Sequence, residues 1–534
     1  MPASDELMRA INEARAAARA GRLADARTIL EGAARAGPVN DSFFLLYLDV
    51  LEAQRDWRAL AGAAGTWLRF RPDGLRAAEA QARAAWETGL LHEAIELYER
   101  VMALGGRHAN RLATFGRLCL NALEFERAGR AFDECESLDR DNAHMLAAKA
   151  GLLAFEGRFA EAEAYCRRCL ARNPGDVAAY RLLGQLQDGR LAPEERAVLA
   201  GMLERPGVRV EHRITAAFAL GDSLDAEGDI DAAFAAYGRA QAFARARGRE
   251  EHLEYQPERT ELEFDELVRL FASGPLEVPP LTGDVARLRP IFIIGMPRSG
   301  TTLVEGVLGA HTRVRACGER MVMRQVKREY LALVAASSPL TAELRTNFVR
   351  ACTDQLPDLG AADHYTDKNP WNFDAVGLIL TLFPDAHVVH VRRNPIETGL
   401  SIYCHEFTKF QPFTQRLDHI GHYYGQYARL MSHWERVAGD RMTTIQYEAF
   451  AADLDRTAPA LLRACGLEWE DGCRTFQRSG NVIATLSAIQ VRRPVSPRSG
   501  RVRRYERHLG PLVEALEAAG VDLETGAVRP DVRR

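Results

Sequence analysis

The chain has 534 residues, too many for one ordinary hydrophobic core, so we expect two or more domains. Hydrophobic residues make up 47% of the sequence and charged residues 27%, a balance that is typical of a globular protein and excludes an intrinsically disordered one. The net charge of −4 gives no general reason to expect nucleic-acid binding, and we expect no nucleic-acid partner.

The N-terminal segment MPASDELMRA lacks the basic and apolar regions of a secretory signal peptide. No apolar run approaches the ~20 residues that a membrane-spanning helix requires, so we expect no membrane association. The nine cysteines are scattered and odd in number, which fits a reducing compartment better than a disulfide framework. These features predict a cytoplasmic protein.

Large apolar residues recur every 34 residues through the N-terminal part of the chain: Leu23, Trp57, Leu91, Phe125 and Phe159. Three residues after each stands a second apolar residue, most often alanine: Ala26, Leu60, Ala94, Ala128 and Ala162. A third register marks the unit ends: Pro38, Pro72, Gly106, Arg140 and Pro174. This period and alternation are typical of tetratricopeptide helix pairs. The sequence therefore predicts an all-α solenoid over residues 1–248, with about six or seven helix pairs.

The repeat register slips after Pro174, and residues 249–288 are predicted to form a junction. A helix is expected within it at Glu261–Phe271. Over residues 289–534, apolar strands alternate with helical segments, which predicts a P-loop-like α/β domain with a central parallel sheet. The strand candidates are Ile291–Ile294, His387–Val391 and Met442–Gln446.

The first strand candidate runs into a glycine-bounded loop in the segment IFIIGMPRSGTT. Gly295, Gly300 and a threonine pair almost reproduce a nucleotide P-loop, but Thr301 stands where that motif requires lysine. Backbone N–H groups of such a loop and of the following helix N-terminus still bind phosphate, and Arg298 supplies positive charge. The pattern predicts a phosphate-bearing ligand and argues against nucleoside triphosphate hydrolysis.

A second motif, VVHVRRNPIETGLS, places Arg393 and Ser401 eight residues apart, at a strand end and on the next helix. Together the two motifs resemble those of the PAPS-dependent sulfotransferases, over roughly Arg289–Gly510. Tetratricopeptide repeats ahead of such a domain are similar to a group of bacterial proteins related to tyrosylprotein sulfotransferases. The resemblance implies PAPS as the donor co-substrate, no metal, and transfer of a sulfuryl group to an acceptor hydroxyl.

The resemblance also implies how the donor would be held. The 5′-phosphosulfate would be bound by the loop, through Arg298, Ser299, Gly300, Thr301 and Thr302. The 3′-phosphate would be bound by Arg393 and Ser401, with Arg501 as a further basic contact. Ser487 matches a serine that contacts the donor, in an arginine-rich segment that resembles a lid over the nucleotide. Tyr447 would pack on the adenine, although a core tyrosine fits its position equally well.

Two further residues match catalytic groups of the family. Glu319, in the segment ACGER, resembles the catalytic base of tyrosylprotein sulfotransferases, which carry a pair of glutamates where this chain has one. The alternative is a carboxylate that only stabilises a helix N-terminus. Lys368, in TDKNP, resembles a lysine that stabilises the bridging oxygen of the donor, and the alternative is a solvated turn residue. His364 is the second candidate for the base, by analogy with cytosolic small-molecule sulfotransferases, or else a surface histidine.

The acceptor is not determined by these motifs, and a protein tyrosine, a carbohydrate or a small molecule would fit them. The repeats are expected to bind a peptide or protein, as substrate or partner, or to mediate homodimerisation. Arg320 and Arg324 follow Glu319 and would favour an acidic acceptor. Cys166 and Cys169 form a CxxC pair without a second pair at zinc spacing, so we expect them to pack between helices.

Two other functions remain open at this stage. One is a P-loop nucleotide kinase, which the missing lysine disfavours. The other is a repeat scaffold whose C-terminal domain only binds the nucleotide. The retention of Arg298, Glu319, Lys368, Arg393 and Ser401 favours the sulfotransferase over both alternatives.

Overall fold

The computed structural model of the protein describes residues 2–278, 280–281, 288–354, 356–407, 410–478 and 500–529. It divides into two compact units. The first comprises Met1–Leu153 and Ala160–Pro174, and the second comprises Ala154–Phe159 and Gly175–Arg534. The described residues are mostly helical and contain a parallel sheet in the second unit.

The N-terminal repeat region begins with ten helices in succession along the described chain. They are α1 (Pro2–Arg19), α2 (Leu23–Ala36), α3 (Asp41–Ala53), α4 (Trp57–Phe70), α5 (Leu75–Thr88), α6 (Leu91–Gly105), α7 (Ala109–Asn121), α8 (Phe125–Leu138), α9 (Ala143–Phe155) and α10 (Phe159–Arg172). Local signals set their ends. Asp56 caps α4 by accepting a hydrogen bond from the Ala59 amide at 3.0 Å, and Gly89 ends α5 in the left-handed region at φ +85°.

The 34-residue register coincides with the even-numbered helices. The large apolar residues of the repeat are the first residues of α2, α4, α6, α8 and α10. The second register is fully buried, with 0% exposure at Ala26, Leu60, Ala94, Ala128 and Ala162. Small side chains at such positions let neighbouring helices approach closely, which stabilises a stacked array. The predicted all-α repeat region is therefore confirmed.

Enlarging one of these small residues should destabilise the repeats. Ala94→Leu is expected to lower the free energy of unfolding by about 1–3 kcal/mol, because added methyl groups must displace tightly packed neighbours. Ala103→Leu is the matched control, since Ala103 is an exposed residue of the same helix. Thermal unfolding of both variants and the wild type measures the difference. Equal melting temperatures for the two variants would contradict the conclusion that Ala94 occupies a tightly packed position between repeat helices.

Five further helices precede the sheet in the second unit. They are α11 (Val177–Leu186), α12 (Pro193–Glu204), α13 (Val210–Glu227), α14 (Ile230–Glu250) and α15 (Pro257–Leu270). Helix α15 is the helix expected at Glu261–Phe271, and it begins four residues earlier because Pro257 occupies its first turn, where the absent proline N–H costs nothing.

The sheet has five parallel strands in the order β2-β3-β1-β4-β5. The strands are β1 (Arg289–Gly295), β2 (Val314–Arg315), β3 (His364–Asp367), β4 (His387–Arg392) and β5 (Met442–Gln446). Each of the three strand candidates is found, and the predicted fold class, an all-α repeat region followed by an α/β domain with a parallel sheet, is confirmed. Because β1 lies between β3 and β4, the loops after these three strands meet at one edge of the sheet.

Helices cover the sheet and complete the second unit. They are α16 (Thr301–Gly309), α17 (Val322–Ala335), α18 (Ala342–Thr353), α19 (Val376–Leu382), α20 (Pro395–Tyr403), α21 (Leu417–Ala438), α22 (Tyr447–Ala452), α23 (Leu454–Ala464), α24 (Arg501–Tyr505) and α25 (Gly510–Ala518). One core joins β1 and β4 to α16 and α23, through residues such as Ile293, Val304, Val389 and Leu462. The central strand β1 is buried beyond its first residue, as expected for a strand covered on both faces.

Helices α13 and α14 are joined to the sheet-bearing part of the second unit by buried polar contacts. The Gln241 side-chain amide donates to the Tyr403 carbonyl oxygen at 2.7 Å, and both residues are buried. The Thr215 hydroxyl donates to Glu406 at 2.7 Å, next to the end of α20. These helices therefore pack in the same body as α20. The domain boundaries at residues 248 and 288 remain predictions.

Candidate active site

The loop between β1 and α16 turns sharply at the carboxyl edge of the sheet. Gly295, Arg298 and Gly300 have φ values of +156°, +70° and +97°. A Cβ atom at Gly295 would lie 2.5 Å from the Val391 carbonyl oxygen, so glycine is required there for steric reasons as well. Arg298 adopts the left-handed region without being glycine, a conformation that usually carries backbone strain and is common at functional loops.

The geometry of this loop suits an anion. Helix α16 begins at Thr301, and the first-turn N–H groups of an α-helix have no partner within the helix. The Ser299 side chain is 1% exposed, and its hydroxyl oxygen has no hydrogen-bond partner among the described residues. A buried hydroxyl without a partner costs free energy, which a bound acceptor oxygen would offset. The loop therefore has the donors that a phosphate or sulfate requires.

Three of the predicted donor-binding residues are in direct contact. The Arg298 Nε donates to the Ser401 hydroxyl at 3.3 Å, and Arg393 Nη1 donates to the Arg298 carbonyl oxygen at 3.0 Å. Arg393 also lies 3.5 Å from the Glu397 carboxylate, while its buried Nε has no partner among the described residues. The structure thus brings the arginine that follows β4, the serine on α20 and the loop after β1 into one cluster.

Tyr447, at the start of α22, packs against this cluster. Its ring centroid lies 5.0 Å from the Arg393 guanidinium carbon, within range of a cation–π contact. The ring also covers Gly300, where a Cβ atom would collide with it. The tyrosine thus shapes the loop and orients Arg393.

The two predicted catalytic residues form an ion pair. Lys368 follows β3 and is fully buried, and its Nζ donates to Glu319 Oε1 at 2.7 Å. The Glu319 side chain is 51% exposed, so its carboxylate is accessible to a second molecule. A buried ammonium group without a counter-charge is costly, which explains why Lys368 takes a carboxylate partner.

A second carboxylate near Lys368 was not predicted from the sequence. Glu305 lies one turn into α16, and its Oε1 accepts hydrogen bonds from the Gly318 amide at 2.9 Å and the Thr366 hydroxyl at 2.7 Å. Burial raises the pKa of Glu305, against the opposing attraction of Lys368. The available signal was one charged residue in the otherwise apolar helix TTLVEGVLG, which indicates a buried carboxylate with a specific partner.

Asp367, the last residue of β3, is buried beside this group. The Asn372 side chain donates to its Oδ1 at 3.2 Å. Burial raises the pKa of the Asp367 carboxyl to about 7, although the Arg320 charge acts in the opposite direction. This carboxyl is therefore a proton-binding group whose ionisation the fold disfavours.

Asp367→Asn should remove a pH-dependent loss of stability. The folded protein binds a proton at Asp367 more tightly than the unfolded chain, so this contribution is present at low pH and is lost as pH rises through about 7. Asparagine can still accept the hydrogen bond from Asn372. Thermal unfolding at about pH 5 and about pH 8 should show the variant gaining up to ~3 kcal/mol relative to the wild type at the higher pH. If the variant and the wild type differ in free energy of unfolding by the same amount at both pH values, Asp367 does not have a raised pKa in the folded protein.

His364, the second candidate for the base, lies at the wrong end of β3. It pairs with Arg289 at the beginning of β1, whereas Lys368 follows the carboxyl end of the same strand. Its Nδ1 lies 2.7 Å from Asp363 Oδ1, and burial lowers its pKa. The strand register separates His364 from the cluster at the carboxyl edge, so we do not retain it as a base.

The remaining predicted residues have other surroundings or lie outside the described residues. Arg501 is mostly buried, and its Nε lies 3.1 Å from the Asp225 carboxylate of α13. Arg320 donates to the Cys352 carbonyl oxygen at 2.8 Å, so its guanidinium supports the local backbone. Ser487 lies outside the described residues.

Among the residues that the structure describes, no group of three or more histidine, cysteine, aspartate or glutamate side chains could hold a metal ion. Of the described helices, none combines the length and the apolar character that crossing a membrane requires.

Comparison with known families agrees with this geometry. Residues 290–471 match the model of a sulfotransferase family, and residues 143–186 match a tetratricopeptide repeat. The sulfotransferase match spans β1 to β5 and includes the loop after β1, Glu319, Lys368, Arg393 and Ser401.

Two relatives of this chain are distant. An uncharacterised protein of Aquifex aeolicus (strain VF5) is 28% identical over 407 residues, which cover 73% of this chain and 52% of the relative. A protein-tyrosine sulfotransferase of Drosophila melanogaster is 24% identical over 202 residues, covering 34% of this chain and 38% of the relative. The chain thus spans about half of the first relative and less of the second.

Among solved structures, this chain is similar to the sulfotransferase domain of the Synechococcus PCC 7002 olefin synthase. It is 16% identical, and the alignment covers 46% of this chain and all of that domain, with a TM-score of 0.32.

Proposed function

We propose that the second unit transfers a sulfuryl group from PAPS to an acceptor hydroxyl. The observation that carries the proposal is the contact of Arg298, Ser401 and Arg393 beside the N-terminus of α16. Bidentate guanidinium groups and helix N-termini are the usual ligands of phosphate in proteins. Two such groups in one cluster suit a ligand with two separated phosphates better than a ligand with one.

Donor binding would use the orphaned groups of this cluster. The Ser299 hydroxyl and the first-turn amides of α16 would bind the phosphosulfate, together with Arg298. Arg393 and Ser401 would bind the 3′-phosphate, and the unpartnered Nε of Arg393 supplies a donor for it. Tyr447, whose ring covers Gly300 and lies beside Arg393, would border the bound nucleotide. Arg501 would reach the donor only by giving up its pairing with Asp225.

PAPS supplies an activated sulfuryl group whose sulfur–oxygen bond to the phosphate breaks as the acceptor oxygen bonds to sulfur. Glu319 would take the proton of the acceptor hydroxyl, because its carboxylate is accessible and follows directly on the fixed turn at Gly318. Lys368 would stabilise the negative charge that develops on the leaving phosphate oxygen. The products are a sulfate ester, adenosine 3′,5′-bisphosphate and the proton on Glu319.

We further propose that the acceptor is an acidic peptide or protein bound with the help of the repeats. In the first unit, the exposed guanidinium groups of Arg83 and Arg117 lie 5.7 and 4.8 Å from the ring centroid of Trp86. Arg117 has no carboxylate partner within salt-bridge distance in the described part of the chain. Arg83 is paired with Glu87 at 2.9 Å, whereas the exposed Arg117 guanidinium beside an aromatic ring suits an extended chain that carries negative charge.

Arg393→Ala should weaken donor binding selectively. Loss of a charge-assisted hydrogen-bonding group is expected to reduce the affinity for adenosine 3′,5′-bisphosphate by about 10²-fold, as measured by titration calorimetry. Arg392→Ala is the matched control, since Arg392 is adjacent but lies 3.8 Å from Glu435 instead. Its affinity should stay within about threefold of the wild type. Equal weakening in both variants, or wild-type binding of ATP but not of the bisphosphate, would overturn the proposal.

Glu319→Gln should slow transfer without weakening donor binding. The amide can still contact Lys368 but cannot take a proton, so kcat is expected to fall by about 10²–10⁴-fold. Transfer from ³⁵S-labelled PAPS to an acidic peptide with one tyrosine measures the rate, and calorimetry measures the affinity for the bisphosphate. An unchanged kcat would remove Glu319 from the mechanism.

A further inference from the structure

One buried carboxylate joins the donor-binding helix to the turn that carries Glu319. Glu305 lies four residues after Thr301 on α16, about 6 Å along the helix axis. Its Oε1 accepts from the Gly318 amide at 2.9 Å and from the Thr366 hydroxyl at 2.7 Å. The same oxygen therefore contacts a strand of the sheet and the turn that follows β2.

The Gly318 peptide is held on both sides. Its N–H donates to Glu305, and its carbonyl oxygen accepts from the Lys368 amide at 2.9 Å. Gly318 adopts φ +66°, so the turn depends on these bonds rather than on a regular element. Glu319 is the next residue, and its carboxylate meets the Lys368 side chain. The position of Glu319 therefore depends on Glu305 and on the end of β3.

We propose that Glu305 is a positioning residue for sulfuryl transfer. Through the Gly318 amide it fixes Glu319 relative to Lys368 and to the N-terminus of α16, where the donor would lie. The inference rests on the proposed function of Glu319 as the base. It assigns to α16 two tasks, binding the donor at its first turn and orienting the base from its second.

A purely structural role for Glu305 is the competing explanation. Its neighbours on α16, Val304 and Leu308, are fully buried, and an apolar residue would fill this position without the desolvation cost of a carboxylate. The Glu305 carboxylate also interacts with the like charge of Glu319 and with the Lys368 ammonium, while Asp367 and the thiol of Cys317 lie near it and are influenced by Arg320. Two hydrogen bonds to the catalytic turn and to β3 account for a carboxylate where packing alone favours an apolar side chain.

The first test is a double-mutant cycle of Glu305→Ala and Glu319→Gln. Glu305→Ala should lower kcat for transfer from PAPS to the tyrosine peptide by about 10²-fold, while affinity for adenosine 3′,5′-bisphosphate stays within about threefold. Because Glu305 acts through Glu319, the double variant should be no slower than Glu319→Gln alone. Additive losses, or a proportional loss of bisphosphate affinity, would overturn the positioning role.

The conservative variant Glu305→Gln should restore most of the kcat that Glu305→Ala loses. Its amide oxygen can accept from both Gly318 and Thr366, so kcat should return to within about fivefold of the wild type. If Gln is as slow as Ala, hydrogen bonding to the turn is not what Glu305 contributes.

A second measurement does not depend on activity. Amide hydrogen exchange at Gly318 should accelerate at least about tenfold in Glu305→Ala and stay near the wild-type rate in Glu305→Gln. Unchanged exchange in the alanine variant would overturn the inference even if its kcat fell. A wild type that binds the bisphosphate but transfers no sulfuryl group to the peptide or to other hydroxyl acceptors would overturn the proposed function instead.

Discussion

The parallel pairing of β1 with β3 and β4 determines where every side chain of the candidate site lies. The carboxyl ends of parallel strands lie at the same edge of a sheet. This pairing makes neighbours of three features that are distant in sequence: the loop after β1, Lys368 after β3 and Arg393 after β4. The helices that follow these strands point their N-termini at the same edge. The positive potentials of the basic side chains and of the helix N-termini therefore add at this edge, which favours the binding of a polyanion.

The cost of this arrangement is a set of ionisable groups that are buried next to one another. Lys368 has no solvent exposure, and Glu305 and Asp367 are nearly as buried. Burial raises the pKa of both carboxyl groups, so proton binding and folding are coupled at this edge. Such a cluster is unfavourable for stability and is retained where function requires it. The cluster lies within the residues that match the sulfotransferase family, next to the half-exposed Glu319.

The sequence predicted those features that depend on local pattern. The repeat register identified the first residue of every second helix, because a large residue must recur wherever one unit meets the next. The glycines and threonines of the loop identified the sharp turn between β1 and α16, since the glycines adopt positive φ values and the threonines begin the helix. Contacts across long separations had no such signal: the ion pair of Lys368 with Glu319 joins residues 49 apart, and the burial of Glu305 depends on β3. His364 was only a second candidate for the base, and its burial at the first residue of β3, opposite Arg289, depends on a strand pairing that the local pattern does not show.

The bond from Gln241 to the Tyr403 carbonyl has a consequence for how this architecture can be rearranged. Helix α20 carries Ser401, and its C-terminal end is held by a helix that the repeat pattern would assign to the solenoid. Helices α13 and α14 are therefore packed in the same compact unit as the sheet and Ser401. The second unit contains Ala154–Phe159 as well as the chain from Gly175 onward, so a laboratory chimera with exchanged N-terminal helices would keep this unit intact only if its crossover preceded residue 154. Replacing α14 would therefore remove a contact that holds the helix carrying Ser401.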